Sequence, residues 1–299
     1  MVREGPAALR PAGAAQTGLV ALAGVWFHRH MNVHQLSLSI RLAAVTALAT
    51  LLAGCITNPE TGRSQLLLVS EGQVTQLGIS SFDQMKKEMP ISKDPAANAL
   101  VRRVGERIKS VVSLPNAQWE FIVFESKEAN AFCLPGGKIG VYTGILAITK
   151  DEDGLATVLG HEVAHATLQH GRERMSEGLA ANTFGQLGGA VVDATNPKYT
   201  AAFGQLYGLG ANVGVLLPHS RTQEAEADHR GLIYMARAGF DPEASVAFWE
   251  RFAAYAKKAG GNDTSKWLRT HPLESDRIAN LKKWMPEAKA AAKAAGKTR

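Results

Sequence analysis

Cysteine is scarce in this sequence, because only Cys55 and Cys133 occur among its 299 residues. At most one intramolecular disulfide could form, and none can if Cys55 is modified, as argued below. Hydrophobic residues make up 45% of the chain and charged residues 20%, which is the balance of an ordinary globular protein. The length allows one large domain or two small ones, held together by a hydrophobic core.

The chain also lacks a basic surface suited to nucleic acid, although its net charge is +6. Residues 282–299 hold six basic residues and one acid, and the segment before Cys55 carries a net charge of +3. The part between them is therefore slightly acidic, and it has no basic stripe with interleaved aromatic residues. We do not expect nucleic acid as a partner. The composition of residues 285–299 predicts a basic, disordered tail.

The apolar run near the N-terminus is too short to span a bilayer. It extends from Leu42 to Ala53, about twelve residues, which is the length typical of the hydrophobic region of a secretory signal peptide. Residues 1–30 show no periodicity, which indicates a spurious extension with Met31 as the true start. Small residues stand directly before Cys55, and Leu-Ala-Gly-Cys resembles the bacterial lipoprotein processing box. The resemblance implies cleavage before Cys55 and lipidation of this cysteine.

A lipid anchor follows from that processing, since several acyl chains hold a protein durably on a membrane. Ile56, and not aspartate, follows the cysteine. By resemblance to the known sorting rule, this favours a periplasmic location on the outer membrane. Residues 1–54 are then an extension plus a signal peptide, 55–62 form a polar tether, and 63–284 form the folded domain. A plain signal peptide or a short membrane anchor is the alternative.

Hydrophobic periodicity predicts a mostly helical domain with a few short strands. In the helix that carries the chemistry below, Asp151 is the predicted N-cap and Gly171 the predicted end. Residues 178–217 are rich in Gly and Ala and nearly free of charge, which favours helices that cover a cleft. A pair of membrane-dipping helices is the alternative for that segment. The predicted helices span 95–108, 151–171, 221–238, 242–258 and 272–284, and the predicted strands span 119–124 and 138–143.

The strongest chemical signal is His-Glu-Val-Ala-His at 161–165. On a helix, His161 and His165 leave the same face one turn apart and can bind one ion. Glu162 lies one step around the helix, where its carboxylate can reach a metal-bound water without binding the metal. Two surface histidines on a charged helix are the alternative interpretation.

A catalytic zinc site needs three protein ligands and an open position for water. The best third ligand is Glu224, and Asp228 lies on the same helical face one turn later. We expect Glu224 to complete a site for one Zn²⁺ per chain, and Asp228 to accept a hydrogen bond from a ligand histidine. Glu226 points elsewhere and is expected to be solvated. A polar helix face without a metal is the alternative.

These motifs resemble the zinc metallopeptidase family that contains the CAAX prenyl protease, HtpX, the mitochondrial Oma-type enzyme and the periplasmic protease BepA. The resemblance implies an α+β, mostly helical, gluzincin-like domain, with a small β-sheet whose edge strand lies beside the zinc-binding helix. It also implies a role in quality control of envelope proteins. The matching segments are 61–63, 130–132, 134–137, 141–144, the zinc helix, 220–221, 224–228 and 270–273.

Further candidate residues come from the same resemblance. Asn130, Ala131 and Phe132 resemble the edge strand on which such enzymes lay an extended substrate, since main-chain pairing tolerates many sequences. An ordinary loop before a strand is the alternative there.

Other histidines are assigned one by one, and the resemblance bears only on His271. His271 matches a histidine that can take the place of the water and hold the enzyme inactive, or that can stabilise the oxyanion; a histidine that merely starts a helix is the third possibility. His219 is a candidate further ligand or oxyanion donor. His170 and His229 are expected at the surface.

The predicted function is a zinc-dependent endopeptidase that hydrolyses misfolded or stalled envelope proteins. Zinc lowers the pKa of its bound water toward neutrality, and Glu162 takes the proton as general base. A chaperone or assembly factor with a closed or structural zinc site is one alternative. An integral membrane peptidase that uses residues 178–217 is another.

The first testable prediction concerns the general base. Replacing Glu162 with glutamine should abolish casein hydrolysis and leave zinc bound, because this side chain moves a proton and does not bind the metal. Metal content and casein cleavage, measured on the same preparation, check both halves. Undiminished cleavage by the variant would contradict the assignment.

Overall fold

The computed structural model describes residues 54–185, 220–259, 267, 270–271 and 276–296. Helices dominate this part of the chain and two small sheets accompany them, so the expected α+β, mostly helical class is confirmed. The strands are β1 (Cys55–Thr57), β2 (Ser64–Leu66), β3 (Glu120–Phe124), β4 (Ala131–Leu134) and β5 (Lys138–Tyr142). The helices are α1 (Glu71–Glu88), α2 (Pro95–Lys109), α3 (Thr143–Thr149), α4 (Glu152–Thr167), α5 (His170–Gly185), α6 (Arg221–Arg237), α7 (Ala244–Ala259) and α8 (Arg277–Ala294).

The larger sheet has the strand order β3-β5-β4, with β3 and β5 parallel and β4 and β5 antiparallel. Strand β4 lies at one edge, and its alternate residues face two different cores. Ala131 and Cys133 pack into the main core with α4, whereas Phe132 and Leu134 pack with Phe82 of α1. The sheet edge therefore lies beside α4, as the resemblance implies.

Helix α4 begins where the sequence predicts and ends earlier. The Asp151 side chain caps its first turn by accepting from the N–H of Gly154 at 2.9 Å. The helix stops at Thr167, because Gln169 takes a φ of 58° and turns the chain. Helix α5 starts at His170, so the prediction that Gly171 terminates the helix is wrong.

Helices α4 and α6 approach each other at two facing glycines. A Cβ on Gly160 would lie 2.7 Å from the carbonyl oxygen of Gly231, and one on Gly231 would lie 2.7 Å from the N of His161. Larger side chains would force the helix axes apart at the level of His161. This contact fixes how near the side chains of α6 come to those of α4.

The segment after Cys55 differs from the predicted tether. Strand β1 pairs antiparallel with β2, and a turn between Asn58 and Gly62 closes the hairpin. Asn58 is buried, and its Nδ2 donates to Gln65 Oε1 at 3.1 Å. Gln65 in turn donates to the carbonyl of Leu168 at 2.9 Å. These bonds dock the hairpin on the end of α4, so residues 55–62 belong to the folded domain.

The C-terminal end also differs from the sequence prediction. The last helix begins at Arg277 and continues to Ala294, through Pro286 and most of the predicted disordered tail. A proline inside a helix removes a backbone hydrogen bond and usually destabilises the helix. Burial of Ala288 and Ala292 against the main core offsets that loss.

Several sequence predictions fall on residues outside the described ranges. They concern the extension and signal peptide before Gly54, most of the 178–217 segment and the final residues 297–299. Within the described ranges, no helix is both long and apolar enough to cross a membrane.

The glycine contact yields a stability prediction. Gly231→Ala should lower the free energy of unfolding by about 1–3 kcal/mol, because the added methyl overlaps the backbone of α4. Gly72→Ala is the matched control. No atom among the described residues lies within 4 Å of its Cβ position, so a gain of about 0.4–1 kcal/mol is expected. Urea unfolding measures both changes, and equal effects would argue against the close contact.

Candidate metal centre

Four buried side chains meet between α4, α6 and the chain just before α8. They are His161 and His165 from α4, Glu224 from the first turn of α6, and His271. One possible ligand atom from each lies within 4.8 Å of the others. The structure thus brings together the three ligands predicted from the sequence and adds His271 as a fourth donor.

The spacing of these donors matches a tetrahedral ion site. Nε2 of His161 lies 3.1 Å from Nε2 of His165 and 3.2 Å from Nδ1 of His271. Oxygens of Glu224 lie 2.9 Å from Nδ1 of His271, 3.4 Å from Nε2 of His165 and 3.6 Å from Nε2 of His161. Ligand bonds of 2.0–2.1 Å in a tetrahedron give edges of about 3.3–3.4 Å. Three imidazoles and a carboxylate also suit zinc chemically.

The pKa shifts of the two histidines on α4 differ in direction. Burial lowers the pKa of His161, but Asp228 and Glu224 outweigh this effect and raise it. Burial lowers the pKa of His165 well below its ordinary value, which keeps the imidazole neutral as a metal ligand must be. Burial raises the pKa of Glu224, but electrostatic interaction and hydrogen bonding with His271 and His165 outweigh this effect and hold the pKa well below the usual range. Neutral imidazole and ionised carboxylate are the forms that bind a cation.

Glu162 lies beside this group and is held in place. Its Oε1 accepts from the indole N–H of Trp267 at 2.7 Å, and the same oxygen lies 3.4 Å from Nε2 of His271. The ring of His271 therefore stands between the carboxylate of Glu162 and the other metal donors. Glu162 itself is buried.

Asp228 and Arg277 lie on the other side of the site, where the positive charge of Arg277 balances two carboxylates. Oδ1 of Asp228 lies 2.9 Å from Nδ1 of His161, but the two atoms do not have hydrogen-bond geometry, so the expected hydrogen bond between them stays a prediction. Arg277 donates from Nε to Oδ2 of Asp228 at 2.5 Å, and its Nη2 contacts Glu224. Its guanidinium also stacks 3.8 Å from the ring of Trp249. Burial lowers the pKa of Arg277, but the two carboxylates outweigh this and raise it.

Arg277 was missed by the sequence reasoning. The two buried acids required a cation, and a search for a basic residue at the start of the last predicted helix could have found one.

The sequence predictions for Glu226 and His170 also need correction. The expectations that Glu226 is solvated and that His170 lies at the surface are wrong, since Nε2 of His170 lies 3.0 Å from Oε2 of Glu226 and His170 is fully buried.

The remaining predicted residues are placed as follows. Ala131 and Phe132 lie in edge strand β4, and the carbonyl of Asn130 just before it accepts from the N–H of Tyr142 at 2.9 Å. Cys55 is an exposed free thiol at the start of β1. His219 lies outside the described residues.

Comparison with known proteins agrees with this geometry. The model of peptidase family M48 matches residues 95–285, more than half of the chain. The chain belongs to peptidase family M48. Membership implies a bound metal, and the group of three histidines and Glu224 can hold one.

Individual relatives carry metallopeptidase names. The mitochondrial metalloendopeptidase OMA1 of Schizosaccharomyces pombe is 40% identical over 188 residues, 63% of this chain and 53% of the relative. The mitochondrial metalloendopeptidase OMA1 of Homo sapiens is 31% identical over 241 residues, 77% of this chain and 46% of the relative. The β-barrel assembly-enhancing protease of Escherichia coli is 27% identical over 231 residues, 76% of this chain and 46% of the relative. The M48 chain thus spans about half the length of the curated relatives it matches.

The charge balance at this site predicts a large effect of Arg277. Arg277→Met in the metal-free protein should lower the free energy of unfolding by about 3–5 kcal/mol, because two buried carboxylates lose their cation. Lys289→Met, on the same helix, breaks only an exposed pair with Glu243 and should leave stability nearly unchanged. Denaturant unfolding in the presence of a chelator measures both. A small effect of Arg277→Met would contradict the prediction, because it would mean that Glu224 and Asp228 do not depend on Arg277 for charge compensation.

Proposed function

We propose that this protein is a zinc-dependent endopeptidase. One observation carries the proposal: His161, His165 and Glu224 converge at tetrahedral spacing, and the carboxylate of Glu162 lies 3.4 Å from the adjoining donor His271. Zinc at this site would activate a water molecule and polarise the carbonyl of a peptide bond. Glu162 would take the proton from the attacking water and pass it to the leaving amine. Asp228 and Arg277 would hold His161 and Glu224 in position.

Edge strand β4 is the proposed platform for the substrate. One side of β4 pairs with β5, and no other described strand pairs with its second side. The residues of β4 are buried, so the edge would first have to be uncovered. An extended polypeptide could then add to that second side by main-chain hydrogen bonds, which do not depend on side chains. Asn130, Ala131 and Phe132 lie at the start of this strand, so we assign them to substrate binding. The enzyme would then accept substrates of many different sequences.

We infer that the described arrangement is a closed state of the proposed enzyme. His271 supplies a fourth donor where a catalytic site keeps a position for water, and its other nitrogen faces Glu162. Of the roles that the sequence left open, these distances favour blocking over oxyanion stabilisation. Turnover would therefore require His271 to move away from Glu224 and His161.

The presence of four donors is also compatible with a second function, in which the zinc site is structural. Four protein donors are typical of a structural zinc site, so a chaperone or assembly factor with a permanently closed site is the second candidate. A buried carboxylate held against the donors has no purpose in such a site. For this reason Glu162 favours the enzyme.

The proposed setting is the bacterial envelope. The lipoprotein processing box supports a lipid anchor on Cys55, and this exposed residue stands at the very start of the folded domain. The name of the Escherichia coli relative describes a protease that enhances β-barrel assembly. We infer that the substrates are misfolded or stalled envelope proteins. The mitochondrial relatives show that family members also work elsewhere.

The decisive experiment uses the purified full chain in mild detergent with casein as substrate. We expect one zinc per chain and cleavage that stops with a chelator, returns with Zn²⁺ and is absent in Glu162→Gln. Zinc binding without any cleavage, in the wild type and in variants of His271, would favour the chaperone or assembly factor. Absence of zinc would overturn both functions.

The closed state gives a prediction for His271. Replacing His271 with alanine should raise casein hydrolysis severalfold, because the position held by its imidazole becomes available to water. Initial rates at saturating zinc measure the effect, and the double variant with Glu162→Gln should be inactive. A loss of activity in His271→Ala would instead support the oxyanion role.

A further inference from the structure

A second line of buried polar groups extends from the outer nitrogen of His165, away from the metal donors. We propose that His170, Glu226 and Arg63 are positioning residues that hold His165 in the tautomer and orientation needed to bind the metal. This inference rests on the proposed function, because it requires His165 to be a metal ligand.

The first link fixes the hydrogen positions on two rings. Nε2 of His165 faces the other metal donors, so its hydrogen must be on Nδ1 when the metal is bound. That Nδ1 lies 2.9 Å from Nδ1 of His170, and only one hydrogen fits between two nitrogens at this distance. His170 must therefore accept at Nδ1 and carry its own hydrogen on Nε2. The rings meet at 72°, with centroids 5.0 Å apart.

The second link anchors His170. Its Nε2 lies 3.0 Å from Oε2 of Glu226 and donates to that carboxylate. Arg63 donates to both oxygens of Glu226, from Nε at 2.8 Å and from Nη2 at 3.0 Å. A fork of this kind fixes the carboxylate in position and in orientation. The line thus runs from the metal ligand through an imidazole and a carboxylate to a guanidinium.

A second carboxylate completes the anchor. Nη2 of Arg63 also donates to Oε2 of Glu173 at 2.8 Å. That oxygen accepts from the amide of Gln223 at 2.8 Å and from that of Gln65 at 3.2 Å. Glu173 is buried and Glu226 largely so, and both need these donors to remain ionised. The network therefore has one well-determined arrangement.

The two zinc histidines are supported in parallel ways. His161 faces Asp228, which is held by Arg277. His165 faces Glu226 through the inserted ring of His170. Helix α6 supplies the metal-binding Glu224 and the carboxylates of both supporting lines, at alternate positions 224, 226 and 228. The analogy with the expected role of Asp228 gives His170 and Glu226 the same purpose for the second ligand.

This line connects the metal to the N-terminal hairpin. Arg63 lies in the turn between β1 and β2, eight residues after Cys55, whereas His165, His170 and Glu226 belong to α4, α5 and α6. Displacement of the hairpin would remove the guanidinium from Glu226 and free the ring of His170. The geometry of His165 thus depends on a segment that adjoins the proposed point of lipid attachment.

The test separates hydrogen bonding from packing at position 170. In His170→Gln the amide can accept from His165 and donate to Glu226, whereas in His170→Phe the ring fills the space without either bond. We expect His170→Phe to weaken zinc binding by about 10- to 100-fold, as for other outer-sphere changes, and His170→Gln to restore most of it. If His170 only filled space, phenylalanine would be the better substitute.

The measurement is the zinc dissociation constant of the purified full chain in detergent, obtained by competition with a chromogenic chelator. His229→Phe is the control, since its pair with Glu287 lies at the surface. The visible absorption of the Co²⁺-loaded proteins should change in His170→Phe and not in the control. Wild-type affinity in His170→Phe, or affinity in His170→Gln no better than in His170→Phe, would overturn the inference.

A variant remote from the metal covers the case in which His170→Phe does not fold. Arg63→Met leaves both histidines in place and removes the guanidinium that anchors Glu226. We expect this variant to bind zinc more weakly than the wild type, and more weakly than His170→Gln. Unchanged affinity in Arg63→Met would exclude the hairpin from the line. A wild-type protein that binds no zinc would refute the proposed function itself, whereas wild-type binding with no effect of these variants refutes only the inference.

Discussion

The close contact of α4 with α6 at Gly160 and Gly231 is the constraint on which the site depends. Without side chains at these positions, the backbones approach closely enough for Glu224 to reach the imidazoles of His161 and His165. Spacing along the sequence puts His161 and His165 on one face of α4 and Glu224 on one face of α6. It does not determine the distance between these two faces. Glycine at the crossing point brings the side chains of the two helices close enough to form one candidate ion site.

The same contact buries carboxylates of α6, and buried carboxylates need positive charges nearby. Glu224, Glu226 and Asp228 leave α6 toward the interior, and an ionised carboxylate is costly there unless it is paired. Arg277 from the last helix and Arg63 from the first hairpin supply the cations. The two ends of the domain are therefore held against α6 by ion pairs with the same carboxylates that surround the candidate metal site.

If the proposed function holds, the position of His271 would restrain the protease at rest. His271 contacts Glu224 through one nitrogen and faces Glu162 through the other, so one movement would separate it from both carboxylates. Such a restraint would suit the proposed substrate recognition, because main-chain pairing on β4 would discriminate little among sequences. Access to the site, and not sequence specificity, would then control cleavage.

The sequence by itself determined what depends on local spacing: the pair of histidines four residues apart, the adjacent Glu162, the N-cap at Asp151, and the acids four apart on α6. It could not determine which distant residues complete the charge balance, so Arg277 and the line from Arg63 to His170 appeared only in the tertiary structure. The same reason explains the misjudged ends of the domain. Whether a polar hairpin or an alanine-rich helix with Pro286 is ordered depends on the surface it packs against, and that surface is formed by residues far away in the chain.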